Sequence, residues 1–276
     1  MNRLAGQSGK CHVTDKVIVS SYGPHFGEES PLVGRHGSGT IFFSYCNLEC
    51  VFCQNYTISQ LGEGSRIDND ELAGIMLSLQ AKGCHNINLV SPSHVVPFIL
   101  PALDIAASKG LTLPLVYNSG GYDSLETLKL LDGIVDIYMP DMKYSDEKTA
   151  GLLSGVKAYP EVNKTAVKEM HRQVGDLKTD EDSIARRGLL VRHLVLPERL
   201  AGTKEVVRFL AHEISTDTYL NIMAQYRPAY RATTVPALSR PLLRKEYNEA
   251  VAMARREGLQ RLDKDWSAVL LRFFER

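Results

Sequence analysis

Three of the five cysteines in this 276-residue chain, Cys46, Cys50 and Cys53, stand in one run, Tyr45-Cys46-Asn47-Leu48-Glu49-Cys50-Val51-Phe52-Cys53-Gln54-Asn55. Their spacing is C-x3-C-x2-C, with an aromatic residue just before the third cysteine. Three thiolates on a short loop can hold three irons of a cubane cluster and leave the fourth iron without a protein ligand. A small molecule could bind and react at that open iron. The competing chemistry is a structural zinc ion with His25 or His36 as fourth ligand. Zinc sites usually pair their cysteines in two C-x2-C knuckles, which this spacing does not supply. The odd cysteine count argues against a disulfide framework and for reduced, metal-binding thiolates. Cys84, after Lys82-Gly83, reads as a small buried residue.

The elements that must position this loop follow a regular alternation. Apolar, β-rich runs fall at about 39–44, 86–90, 113–117, 134–139, 189–196 and 219–224. Helical periodicity falls between them, clearest at 70–79, where Leu72, Ile75, Met76 and Leu79 share a face behind an acidic first turn. Further helices are expected at 95–109, its first half interrupted by Pro97 and Pro101, and at 125–131, capped by Ser124. Others are expected at 146–153, 160–174, 203–214 and 239–258. The acidic stretch from Asp176 to Asp182 reads as a mobile loop, and the amphipathic tail from Asp265 to Phe274 as a docked segment.

Six strand–helix units at these spacings permit right-handed parallel crossovers. The expected fold is α/β, a partial (β/α)6 TIM-like barrel of mainly parallel strands, with a doubly wound open sheet as the alternative. Residues 1–37 read as an N-terminal extension, 38–230 as the core barrel, and 231–276 as a C-terminal helical segment packed on it. In parallel α/β folds the active site lies at the carboxyl ends of the strands. Polar groups recur there: Cys46, then Ser91 and Ser93, Asn118 and Ser119, Asp141 and Lys143, Glu198, and Gln225 and Tyr226.

Composition narrows the function. The chain is 44% hydrophobic and 23% charged, with 32 basic and 32 acidic residues, so its formal net charge is zero. That balance gives no bulk signal for nucleic acid or an anionic membrane. No apolar run approaches the roughly 18–20 residues that span a bilayer, and Met1 to Gln7 has no apolar signal core. A cytoplasmic enzyme is the expectation.

Cys46-x3-Cys50-x2-Cys53, with Phe52 before the last cysteine, resembles the cluster motif of the radical S-adenosylmethionine (SAM) superfamily, over roughly residues 38–230. The resemblance implies a [4Fe-4S] cluster ligated by Cys46, Cys50 and Cys53, with S-adenosyl-L-methionine chelating the open iron. It implies reductive cleavage to a 5′-deoxyadenosyl radical that abstracts a hydrogen atom, while the barrel positions the cofactors. A closer similarity lies in Ser38-Gly39-Thr40-Ile41-Phe42-Phe43-x2-Cys46, Cys53-Gln54-Asn55-Tyr56, Gly34-Arg35-x-Gly37 and Arg192-His193-Leu194-Val195-Leu196-Pro197. These resemble a subgroup related to the pyruvate formate-lyase activating enzymes, oxidoreductases that form a glycyl radical on a large partner enzyme. The resemblance implies a protein substrate of the glycyl radical enzyme kind and a flavodoxin- or ferredoxin-like electron donor.

Carried over by position, Phe52 should lie near the adenine and Asn55 beside the cluster. Lys143 should reach the cofactor carboxylate, and Asn118 and Ser119 should contact cofactor or substrate. Ser91 and Ser93 stand where the superfamily often has Gly-Gly-Glu, and would accept the protons of the methionyl ammonium. Arg192 lies in an otherwise apolar strand and needs a partner or a cavity, which fits a cofactor or substrate contact. Relatives in the subgroup commonly begin with a further cysteine cluster, of which Gly6-x2-Gly9-x-Cys11 resembles the final piece; Cys11 is expected to be an orphan ligand.

Two groups remain open. His25, Glu28 and Glu29 could form an acid–base or metal site, though a solvated loop is the simpler expectation. Met170, His171 and Gln173 could line a substrate channel or pack a helix. Other classes to weigh are a radical enzyme acting on a small molecule, RNA or another protein, an iron–sulfur electron carrier or sensor, and a zinc-stabilised binding module.

Overall fold

The structure, a computed structural model, describes residues 7–9 and 11–263. The chain opens with β1 (Val17–His25), a single helical turn α1 (Ser30–Val33) and β2 (Ser38–Phe43), then α2 (Tyr56–Ser59), β3 (Ser65–Ile67) and α3 (Asn69–Ala81). It continues through β4 (Ile87–Val90), α4 (Val96–Ser108), β5 (Leu115–Ser119), α5 (Leu125–Leu130) and β6 (Ile137–Pro140). Next come α6 (Glu147–Ser154), α7 (Tyr159–Val174), β7 (Lys178–Thr179), β8 (Ala185–Leu194), α8 (Thr203–Phe209), β9 (Tyr219–Met223) and α9 (Arg244–Arg256).

Six strands run parallel in the order β2-β4-β5-β6-β8-β9. At the first edge β1 pairs antiparallel with β2, and β3 with β1. The sheet curves without closing, as the partial barrel expected from the alternation.

Period-2 alternation divides the side chains between two faces. Val116, Ile137, Met139 and Leu190 gather on one side with Leu32 of α1. Their sequence neighbours Tyr117, Tyr138, Leu189 and Val191 pack on the other, in the large cluster that includes the helices. Leu32 therefore plugs the barrel interior, so the segment before the barrel supplies an edge strand and a stopper.

Local chemistry explains the helices. In α3 the Asp68 carboxylate accepts the Glu71 N–H at 2.9 Å, and the Glu71 carboxylate accepts the Asp68 N–H at 2.8 Å. Leu72, Met76 and Leu79 of that helix are wholly buried, each contributing roughly 1.5–3 kcal/mol. α4 runs unbroken through Pro101, with Pro97 in its first turn, where a missing N–H costs nothing.

The acidic stretch differs from expectation: β7 pairs antiparallel with β8 in a short hairpin. Asp180 shapes its turn by accepting the N–H groups of Asp182 and Ile184 at 3.0 and 2.9 Å. Polar side chains on a two-residue strand leave no apolar alternation to read. The helix expected from 203 ends in a π turn, Leu210–Ile214, and the last one starts at Arg244 after two 3-10 turns. The tail from 265 to 274 lies outside the described residues.

His193, wholly buried in β8, is held between the Met142 carbonyl at 2.6 Å and the Thr203 hydroxyl at 2.9 Å. Burial pushes its imidazole down to about 4. The unfolded chain titrates near the ordinary value of about 6.5, so it binds more protons than the native state between these limits. Stability is full above that range and falls on acidification, by roughly 2 kcal/mol between pH 7 and pH 4.5. Denaturant titrations across that range should show this slope in the wild type and its loss in His193→Gln.

Candidate functional site

The cysteine loop leaves β2 and docks on the carboxyl end of α6. Helix ends carry carbonyls without intrahelical partners, and here the Glu49 and Val51 N–H groups donate to the carbonyls of Ser154 and Leu153 at 3.1 and 2.9 Å. The downstream chain closes over the other side. Arg231 N–H donates to the Val51 carbonyl at 2.8 Å, Gln54 Nε2 donates to the Gln225 carbonyl at 2.9 Å, and Tyr56 stacks on Tyr230 at 5.1 Å.

Each sulfur has a polar neighbour. Cys46 Sγ accepts the Leu48 N–H at 3.4 Å, Cys50 Sγ lies 3.0 Å from Ser154 Oγ, and Cys53 Sγ lies 3.0 Å from Ser59 Oγ. Burial pushes the Cys46 thiol up to about 12 and raises Cys50 as well, while the Lys143 charge opposes both shifts. Metal ligands must be thiolates, so cations bound at the loop would supply the charge that ionises these groups.

Among the described residues no three His, Cys, Asp or Glu side chains form a site for one metal ion. The ligands of a cubane bind different irons, so they need not converge on one point. Nor do the histidines proposed for zinc supply a fourth ligand: His25 Nδ1 pairs with Glu28 Oε1 at 2.9 Å, and His36 packs against His85.

A charged hub stands at the end of β6. Asp141 binds Lys143 Nζ through one oxygen and accepts Arg192 Nε through the other at 2.8 Å. Burial alone would raise the Asp141 carboxyl, but the Arg192 and Lys143 charges overcome it and hold the group below its usual range. The Gly120-Gly121 turn is clamped to this hub. Asn163 Nδ2 donates to the carbonyls of Gly121 and Asp141, both at 2.9 Å, and the Tyr159 hydroxyl accepts Lys143 N–H at 3.0 Å.

Inside the barrel is a cavity of about 620 Å³ whose lining includes Asn55, Asn118, Arg192, Asn221 and Glu29. Of the residues carried over as cofactor contacts, Asn55, Asn118 and Arg192 meet here beside Gln225, His25, Glu28 and Glu29, and Lys143 joins them through Asp141. The others lie elsewhere. Ser119, one residue beyond Asn118, donates instead to Asp123 at 2.6 Å. Ser93 lines a second hollow of about 640 Å³ with Asn47, Tyr122 and Asp123. Ser91 is half-buried with φ of 58° and donates its N–H to the Asn118 carbonyl at 2.8 Å. Phe52 is buried, edge-on to Tyr144 and Tyr226 at 6.5 and 6.0 Å.

The solvated-loop expectation fails for Glu28 and Glu29. The Glu28 side chain is 8% exposed and Glu29 is buried, both against the cavity. Met170, His171 and Gln173 pack their helix: Met170 is wholly buried, His171 meets Asp176 at 3.2 Å, and Gln173 accepts the Tyr138 hydroxyl at 2.6 Å. Two residues escaped the sequence reading, Asn221 in β9 and Asn88 in β4. Both carry buried side-chain atoms with no hydrogen-bond partner. An amide in the middle of an apolar strand was the available signal, the same one that drew attention to Arg192.

The fold is shared with known proteins. The fold matches a radical SAM methyltransferase from Sphaerobacter thermophilus with a TM-score of 0.56 at 15% identity, over 80% of this chain and 64% of that one. It also matches anSMEcpe with bound AdoMet, TM-score 0.51 at 12% identity, over 77% of this chain and 57% of that one. The chain thus spans less than two thirds of either solved structure, and the fold is that of radical SAM enzymes. It belongs to the family of the uncharacterized protein MJ0674 of Methanocaldococcus jannaschii, 31% identical over 261 residues, covering 92% of this chain and 71% of the relative. No protein-family model matches the sequence. Among the described residues no helix is long and apolar enough to cross a membrane.

Proposed function

We propose that the protein is a radical SAM enzyme whose cluster binds at Cys46, Cys50 and Cys53. The observation that carries this is the three-cysteine loop after β2, with Asn55 at its end forming part of the wall of a polar cavity. When bound, a [4Fe-4S] cluster and S-adenosylmethionine supply one-electron cleavage of a sulfonium S–C5′ bond and a carbon radical that takes a hydrogen atom.

The chain supplies position and charge. The helix carbonyls and the clasp from 225 to 231 fix the loop. Lys143 and Arg192, spaced by Asp141, offer N–H donors for a carboxylate. Asn118 offers an amide to a polar group lodged in the cavity.

Two readings of the hydrogen donor follow. The resemblance at 38–56 and 192–197 favours a glycine in a partner enzyme, with a flavodoxin- or ferredoxin-like protein reducing the cluster. The cavity, walled by buried polar groups, favours a small polar molecule or a side chain that enters the barrel. The test of the common chemistry is anaerobic reconstitution with iron and sulfide. The protein should turn brown, change its spectrum on addition of S-adenosylmethionine, and release 5′-deoxyadenosine after reduction by dithionite. No spectral change and no 5′-deoxyadenosine would sink the proposal.

A further inference from the structure

We infer that the floor of the barrel cavity is a recognition site for a cationic nitrogen, an alkylammonium or guanidinium group, held by Glu29 and Asn221. Calling its bearer the hydrogen donor rests on the radical reading above; the cation site itself does not.

Glu29, 5% exposed, precedes the α1 plug and reaches the cavity wall beside β9. Asn221 Nδ2 donates to Glu29 Oε1 at 3.0 Å. A carboxylate only accepts, so this bond turns the amide's nitrogen toward Glu29 and leaves its oxygen uncommitted. Glu29 Oε2 and Asn221 Oδ1 are both buried without a partner. A buried acceptor left empty costs on the order of 1–3 kcal/mol. Two of them, on adjacent side chains in one cavity wall, call for a ligand group with at least two N–H donors.

Charge points the same way. Glu28, Glu29 and Asp263 line the cavity, and among the described lining residues the opposing groups are Arg192 and His25. Arg192 is already engaged by Asp141 at 2.8 Å, and its nearest approach to Glu29 is 3.9 Å. His25 is engaged by Glu28. The carboxylates thus outnumber the fixed cations. Burial raises the Glu29 carboxyl, Arg192 opposes that shift, and Glu28 adds to it. A bound cation would restore the charge balance that the wall lacks.

The site is tested on the full-length chain by calorimetry with n-pentylammonium, pentanoate and pentan-1-ol as matched probes. Pentylammonium should bind saturably and the other two should not. Glu29→Gln should weaken the ammonium at least tenfold, and Glu29→Asp should retain most of its affinity. If Glu29→Gln does not fold, selectivity among the three probes in the unaltered protein decides. Equal binding of pentanol, or equal affinity in folded Glu29→Gln, overturns the inference. So does displacement of the ammonium by S-adenosylmethionine in the reconstituted enzyme, which would make the floor part of the cofactor's own site.

Nα-acetyl-lysine amide separates the sources. Its binding alongside pentylammonium supports a protein side chain, and its exclusion supports a free amine; either is consistent with the site. The two readings fail separately. Ammonium binding without 5′-deoxyadenosine formation removes the radical reading and leaves the cation site. Formation of 5′-deoxyadenosine without selective ammonium binding does the reverse.

Discussion

Cys50→Ala is expected to abolish cluster assembly and S-adenosylmethionine cleavage while leaving the polypeptide folded. Two thiolates cannot hold three corners of a cubane. Bound iron should fall from about four per chain to below about one, with 5′-deoxyadenosine at background. The fold should tolerate the change because the loop is anchored by its backbone, through the Glu49 and Val51 amides on α6 and the Val51 carbonyl on Arg231. Losing one buried sulfur and its contact with Ser154 should cost roughly 1 kcal/mol. That contrast separates a ligand from a packing residue. Iron content equal to the wild type in a folded Cys50→Ala protein would count against the ligand assignment.

Gly121→Ala should be the most damaging single methyl group near the site. Gly121 has φ of 71°, and an added Cβ would stand 2.1 Å from the Asp141 carbonyl and 2.2 Å from Asn163 Nδ2. The left-handed conformation alone costs an alanine about 1–2 kcal/mol. The contact with Asp141 cannot be relieved by a side-chain rotation, because that atom is backbone at the end of β6. Relief must move the hub that aligns Lys143 and Arg192, or free the Asn163 clamp. A loss above about 4 kcal/mol is expected from strain and broken hydrogen bonds together. Gly133→Ala is the control: its φ is 80°, but nothing lies within 4 Å of the added atom, so only the conformational cost of about 1–2 kcal/mol should appear. Denaturation midpoints of the two variants measure the difference, and equal losses would show that Gly121 has room to shift.

What could be read before folding was mostly local. The six parallel strands stood out because each is a short apolar run between turns, and the cysteine loop because its ligands are only a few residues apart. Side-chain direction was less legible. Asn118 and Ser119 both read as strand-end residues, yet adjacent positions on a strand face opposite ways, and only Asn118 lines the cavity. The pleat could have separated them. Glu29 was harder, since a Glu-Glu pair after His-Phe-Gly looks like a solvated loop. Its burial depends on α1 entering the barrel, and no local pattern encodes that insertion. β7 was hidden for another reason, because its hairpin is fixed by hydrogen bonds to Asp180 rather than by apolar periodicity.

The pairing of Glu29 with Asn221 joins residues 192 positions apart, and Gln54 meets Gln225 across 171. Such closures carry the largest loop entropy and form late, after shorter-range pairings are in place. During synthesis the cysteine loop emerges long before the segment that clasps it. The nascent chain therefore presents three thiols on an unfinished sheet, open to oxidation. The cavity floor and the clasp become complete together, when β9 and the residues just after it arrive. In this architecture the order of the chain itself sets the earliest moment at which a cofactor can be enclosed.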